Sequence, residues 1–361
     1  GRFVNALQAA SLRGHIEVVQ TLLDKGADVN AQGGEYGNAL QAASSEGHIE
    51  VFQTLLDKGA NVNAQGGEYG NALQAALWGG HIEVVQTLLD KGADVNAQGG
   101  HFGNALQAAS SEGHIEVVQV LLDKGANVNA QGGEYGNALQ AALWGGHIEV
   151  VQTLLDKGAD VNAQGGHFGN ALQAASSEGH IEVVQTLLDK GADVNAQGGE
   201  YGNALQAASS EGHIEVVQTL LDKGADVNAQ GGEYGNALQA ASSEGHIEVV
   251  QTLLDKGANV NAQGGRFVNA LQAASSEGHI EVVQVLLDKG ANVNAQGGEY
   301  GNALQAASWG GYIEVVQTLL DKGADVDAQG GHYGNALQAA SSEGHEDVVQ
   351  MLLEKNADVN V

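Results

Sequence analysis

Apolar residues recur along this chain in two alternating settings. In residues 34–66, Ala39, Leu40, Ala42 and Ala43 form a short run of mostly strong helix formers, and Ile49, Val51, Phe52, Leu55 and Leu56 then recur at spacings of three and four. The first run follows Asn38, whose side chain can accept a bond from an orphan N–H, so it predicts a short helix ending near Glu46. The second predicts an amphipathic helix with Glu50 near its start and Lys58 near its end, charges that suit its dipole. Gly47 separates the two and Gly59 stops the second. The stretch from Asn61 to Gly67 is rich in turn residues around one valine and predicts a projecting hairpin loop.

This unit is written eleven times, with copies beginning at residues 1, 34, 67, 100, 133, 166, 199, 232, 265, 298 and 331. A fixed 33-residue period predicts a stack of units, each too small to bury its apolar face alone. With no linker between copies, residues 1–361 read as one elongated all-α domain. The first helix offers small alanines and the second bulky aliphatics, so the layers should differ in thickness and the stack should curve. At ~8–10 Å per helix layer it should reach on the order of 100 Å, with a concave wall long enough for a large ligand.

The run from Gly14 to Gln32, GHIEVVQTLLDKGADVNAQ, which returns with few changes in every copy, resembles the second helix and loop of the ankyrin repeat. The resemblance implies a helix-turn-helix-hairpin solenoid that binds proteins. Where that family opens its first helix with Thr-Pro-Leu-His, this chain has Asn38-Ala39-Leu40-Gln41, and it contains no proline. Asn can cap in place of Thr, and Gln41 can donate or accept in place of His. The GNALQAAS wording and the near-identity of copies resemble the ankyrin arrays at the C-terminal end of fungal NOD-like receptors, proteins with an NTPase core that signal non-self recognition.

The copies differ at few places. Before the first helix, Glu35, Glu68 and Glu134 give way to His101, His167, His332, Arg2 or Arg266, and the next position carries a ring such as Tyr36, Tyr69 or Phe102. At the end of the first helix, Ser-Ser-Glu (with Glu46, Glu112, Glu178) becomes Leu77-Trp78-Gly79, Leu143-Trp144-Gly145, Ser308-Trp309-Gly310 or Ser11-Leu12-Arg13. In an ankyrin-like stack both places line the concave ligand surface. Changes on the second helix are milder, so the pattern favours a recognition surface over drift. Trp78, Trp144 and Trp309 are either binding anchors or fillers between helices. Each precedes a histidine in the next copy, which reads either as a Trp–His contact or as copying of a two-repeat block. The aromatic column, Tyr36 and Tyr69 included, reads either as a structural ladder or as part of the binding surface.

A net charge of −30, from 44 acids against 14 bases, disfavours nucleic acid and anionic lipid and reads either as selecting a neutral or basic protein or peptide partner or as keeping a long array soluble. There is no cysteine and no long apolar run, so an intracellular, cytoplasmic and monomeric protein is expected. Ten of the thirteen histidines occupy one slot of the repeat, a structural position in the interhelical turn, and no copy differs enough to form a catalytic pocket. Gly66-Gly67-Glu68-Tyr69-Gly70 lacks the Lys-Ser or Lys-Thr of a phosphate loop. No enzyme activity, metal or cofactor is expected.

Gly1 and the single methionine, Met351, suggest an excised piece with domains upstream, whereas Glu346, Glu354 and Asn356 suggest a polar C-terminal cap. The expected function is non-catalytic recognition of a protein or peptide by the sensor region of a fungal immune-type receptor. A scaffold or self-assembly element, or an engineered consensus-type array, are the alternatives.

Overall fold

The computed structural model describes residues 5–166 and 168–360. Arg2 and His167, both singled out above, lie outside them. The described residues form twenty-two α-helices and no strand, two helices to each repeat. They fall into two compact units, Gly1–Ala171 and Leu172–Val361.

The second repeat shows how the local sequence makes the unit. Asn38 is extended (φ −147°, ψ 178°), and its Oδ1 accepts from the Gln41 N–H at 2.9 Å, starting the helix Ala39–Ser45. Gly47 takes φ +69°, which turns the chain into the helix Ile49–Asp57. A Cβ on Gly47 would run into the His81 ring of the next repeat, so glycine serves both the turn and the close approach. Val51, Phe52 and Leu55 face inward. At the C-terminus, Gly59 (φ +85°) donates to the Leu56 carbonyl and Ala60 to the Leu55 carbonyl, closing orphan acceptors. Asn356 fills the glycine slot in the last repeat at φ +68°, where Glu346 and Glu354 are exposed. The expected hairpin is a single antiparallel bridge, Gly66 to Gly70, because the turn is too short for a ladder.

Neighbouring repeats are joined by links that recur along both units. Gln41 Nε2 donates to the carbonyls of Gly66 (3.0 Å) and Gly70 (3.1 Å) in the next hairpin, so glutamine joins neighbouring repeats from the slot where the ankyrin repeat has histidine. His48 Nε2 lies 3.0 Å from the Leu12 carbonyl of the preceding first helix. Asn30 Nδ2 donates to Gly59 O at 3.1 Å, and Lys58 Nζ to Asp24 Oδ1 at 3.0 Å on the exposed side.

One copy departs from this regularity. Val268 takes φ +69° where most copies have glycine, a conformation that β-branched residues avoid. Val268→Gly is expected to stabilise the chain by about 1 kcal/mol, the relief of strain exceeding the added freedom of the unfolded glycine. A rise in the urea midpoint checks this.

Candidate functional site

The variable positions converge on a column of rings set between glutamates. The ring precedes the first helix, and the variable triplet ends it ten residues later, so the helix brings the two together within a repeat and against the next. In the first unit the rings run without a break. Centroid separations are 6.2 Å for Tyr36–Tyr69, 6.3 Å for Tyr69–Trp78 and 5.4 Å for Trp78–Phe102. They continue at 6.4 Å for Phe102–Tyr135, 6.1 Å for Tyr135–Trp144 and 5.4 Å for Trp144–Phe168. In the second unit, Trp309 lies between Tyr300 (5.6 Å) and Tyr333 (6.0 Å). Separations of this size are those of attractive ring pairs.

The tryptophans are packed and exposed at once. Trp78 and Trp144 each stand on two rings yet leave 50% of their surface to solvent, and Trp309 is half-buried. Each therefore holds the ladder together and presents a face.

Several expectations need correction. Leu12, Leu77 and Leu143 do not line an exposed surface, being 7%, 1% and 0% exposed. Leu77 stands four residues after Leu73 on the same buried side of its helix, where it replaces the buried serine of other copies. Leu12 packs with Tyr36 and Ala42. Tyr36 is 4% exposed and belongs to the core, while Tyr69 is half-buried. Trp78 and Trp309 each meet the ring that follows the next copy's histidine, and His167, after Trp144, lies outside the described residues. Trp78 meets Phe102, and His101 then approaches Phe102 edge-on at 5.4 Å, as His332 approaches Tyr333 at 5.2 Å.

The charged positions are where a ligand could reach them. Glu46, Glu68, Glu112, Glu134 and Glu178 are exposed and Glu35 is half-buried, and Arg13 and Arg266 are exposed. His101 Nε2 lies 2.7 Å from Glu134 Oε2. The Arg266 guanidinium sits 4.4 Å over the Phe267 ring and pairs with Glu233 Oε1 at 3.0 Å. Sequence reasoning missed one contact class: Tyr201 donates to Glu211 at 3.2 Å and Tyr234 to Glu244 at 3.1 Å. The constant ten-residue gap between tyrosine and glutamate is the signal for it.

Burial and this acidic surrounding raise five of the tyrosine hydroxyls above their ordinary value. Burial first, then Tyr36 and Glu68, hold the Tyr69 hydroxyl above its ordinary value near 10, and burial followed by Glu211 raises that of Tyr201. Tyr135, Tyr234 and Tyr300 are raised mainly by burial. A raised folded-state value favours the native state while the unfolded phenol keeps its proton. The stability is complete below about pH 10 and is lost as pH rises through the folded values. Absorbance titration should therefore show these phenols ionising later than free tyrosine, with stability falling only in that alkaline window.

Among the described residues no group of three or more His, Asp or Glu side chains is placed to hold a metal ion, and no helix is long and apolar enough to cross a membrane.

Comparison with known proteins gives these features a family. The ankyrin repeat family model covering three copies matches residues 6–99, 98–165, 171–264, 238–330 and 300–361, and a second ankyrin repeat model matches 146–188. Among solved structures, the ankyrin repeat domain of human ASB11 is similar, at 27% identity and a TM-score of 0.52, over 62% of this chain and 99% of that one. A search of curated protein sequences gives no match. Capped helix pairs, single-bridge hairpins, a 33-residue period and these matches along most of the sequence agree: the chain belongs to the ankyrin repeat family.

Proposed function

We propose that the eleven repeats work as a single non-catalytic module that recognises a neutral to basic protein or peptide. The observation that carries this is the half-exposed tryptophans standing on a ladder of rings between glutamates. Exposed tryptophan held rigidly on its neighbours is the residue type that most often dominates binding energy, and the surrounding carboxylates select against anionic partners. Trp78, Trp144 and Trp309 are the anchors in this reading, with the exposed glutamates, His101, His332, Arg13 and Arg266 as the rim. Ankyrin repeats are generally non-enzymatic protein-interaction modules, which supports the reading.

The finer role is that of a sensor. The GNALQAAS wording and near-identical copies support the ligand-reading region of an intracellular fungal immune-type receptor, in which occupancy releases an upstream NTPase core. Affinity capture with the intact chain and with Trp78, Trp144 and Trp309 changed together to serine tests the module. Partners held by the intact chain should bind the variant at least about tenfold more weakly. Equal recovery of the same partners by both would overturn it.

A further inference from the structure

Among the described residues the ladder holds the guanidinium of Arg266, and the way it is held shows what other places on the ladder can accept. Arg266 is 55% exposed, so it is held by the Phe267 ring under its guanidinium and by Glu233 from the preceding repeat, not by burial. The eleven lysines all end second helices, and the only other arginines are Arg2 and Arg13. In the third and fifth copies the ring and carboxylate slots recur without an arginine.

Two places in the first unit have the fullest set. Around Tyr69 stand Glu68 with Glu35 and Glu46 of the preceding repeat, all near enough to act on its hydroxyl, and Trp78 lies beside it with half its surface open. Around Tyr135 stand Glu134 and Glu112, with Trp144 beside it. There His101 already approaches Glu134, so Glu112 faces an incoming cation.

We propose that these two clusters each take the guanidinium of an arginine from an extended, arginine-rich segment of a partner protein, with a ring beneath and a carboxylate beside it, as Arg266 is held. This rests on the reading of the chain as a peptide-recognition module. Arginine fits better than lysine because its planar, weakly hydrated head stacks on a ring while its edge pairs with a carboxylate. The clusters lie two repeats apart, at most about 18 Å along the ring contacts from Tyr69 through Trp78 and Phe102 to Tyr135. An extended chain covers that in about five residues at ~3.3 Å each.

The test uses the whole chain and two synthetic peptides, one with arginines five residues apart and the same sequence with lysines. Affinity is read by isothermal titration calorimetry for every variant, since the substitutions remove the tryptophans at the clusters, and tryptophan emission is followed in the intact chain alone. The arginine peptide should bind about tenfold more tightly than the lysine peptide and perturb the emission. Trp78→Ser with Trp144→Ser should remove that preference, whereas Trp78→Phe with Trp144→Phe should keep most of it. Circular dichroism melts confirm that each variant is folded. Equal affinity for both peptides, unaffected by the serine changes, would show diffuse attraction to the negative charge and overturn the proposal, as would no binding. Failure is separable from that of the module. Tryptophan-dependent capture of a partner without arginine preference sinks this inference alone, and tryptophan-independent capture sinks the broader reading.

Discussion

Gly232→Ala is expected to lower the stability of the second unit by about 3 kcal/mol or more. Gly232 opens the eighth repeat at φ +60°, and an added Cβ would meet the Tyr201 carbonyl oxygen and carbon and lie 2.7 Å from the Gly202 nitrogen. All three are backbone atoms of the preceding repeat, so no rotamer change relieves the clash and the boundary itself must open. Gly224→Ala is the control. Its φ is +93°, but nothing lies within 4 Å of an added Cβ. It should cost only the conformational penalty, about 1 kcal/mol. Urea unfolding of the two variants side by side separates space from torsion, and equal losses would contradict the assignment.

Gln206→Leu should cost about 3 kcal/mol. The Gln206 amide donates to Gly231 O at 2.9 Å and Gly235 O at 3.1 Å, so leucine of similar volume leaves both hairpin carbonyls without that donor. Each such loss is worth ~1–3 kcal/mol. In a nearest-neighbour stack, weakening one boundary also uncouples its two sides, so the unfolding transition should broaden. Lys256→Ala removes an exposed ion pair to Asp222 at the same boundary and should cost less than about 1 kcal/mol. A larger effect for Lys256 than for Gln206 would mean that the boundary is held from outside.

These predictions rest on features of unequal legibility. The helix pair could be read from the sequence because asparagine capping, three-and-four spacing and glycine stops are local rules, and the structure puts the caps at Asn38 and Gly59 as those rules require. The site was only partly legible. Comparing copies finds which positions vary but not which way they point, so Leu77 and Trp78, adjacent in sequence, were read together although one is buried and the other half exposed. The four-residue step from Leu73 already places Leu77 on the inner side, a helical argument available beforehand. The ring ladder was not accessible in the same way. Whether residues 33 apart touch depends on the rise between repeats, which no single repeat encodes. The tyrosine–glutamate bonds likewise depend on how one helix is pitched against its own hairpin.

The links between repeats have a consequence for how such a chain can change over generations. Glutamine, asparagine and lysine at the boundary are carried by nearly every copy, and their acceptors are mostly backbone carbonyls. A copy lost or gained in multiples of 33 residues leaves every remaining boundary with its donors and acceptors matched. Length and the order of Trp, His and Arg copies are thus free to be reshuffled by recombination while the fold stays intact, so that new surfaces arise by dealing existing repeats in a different sequence.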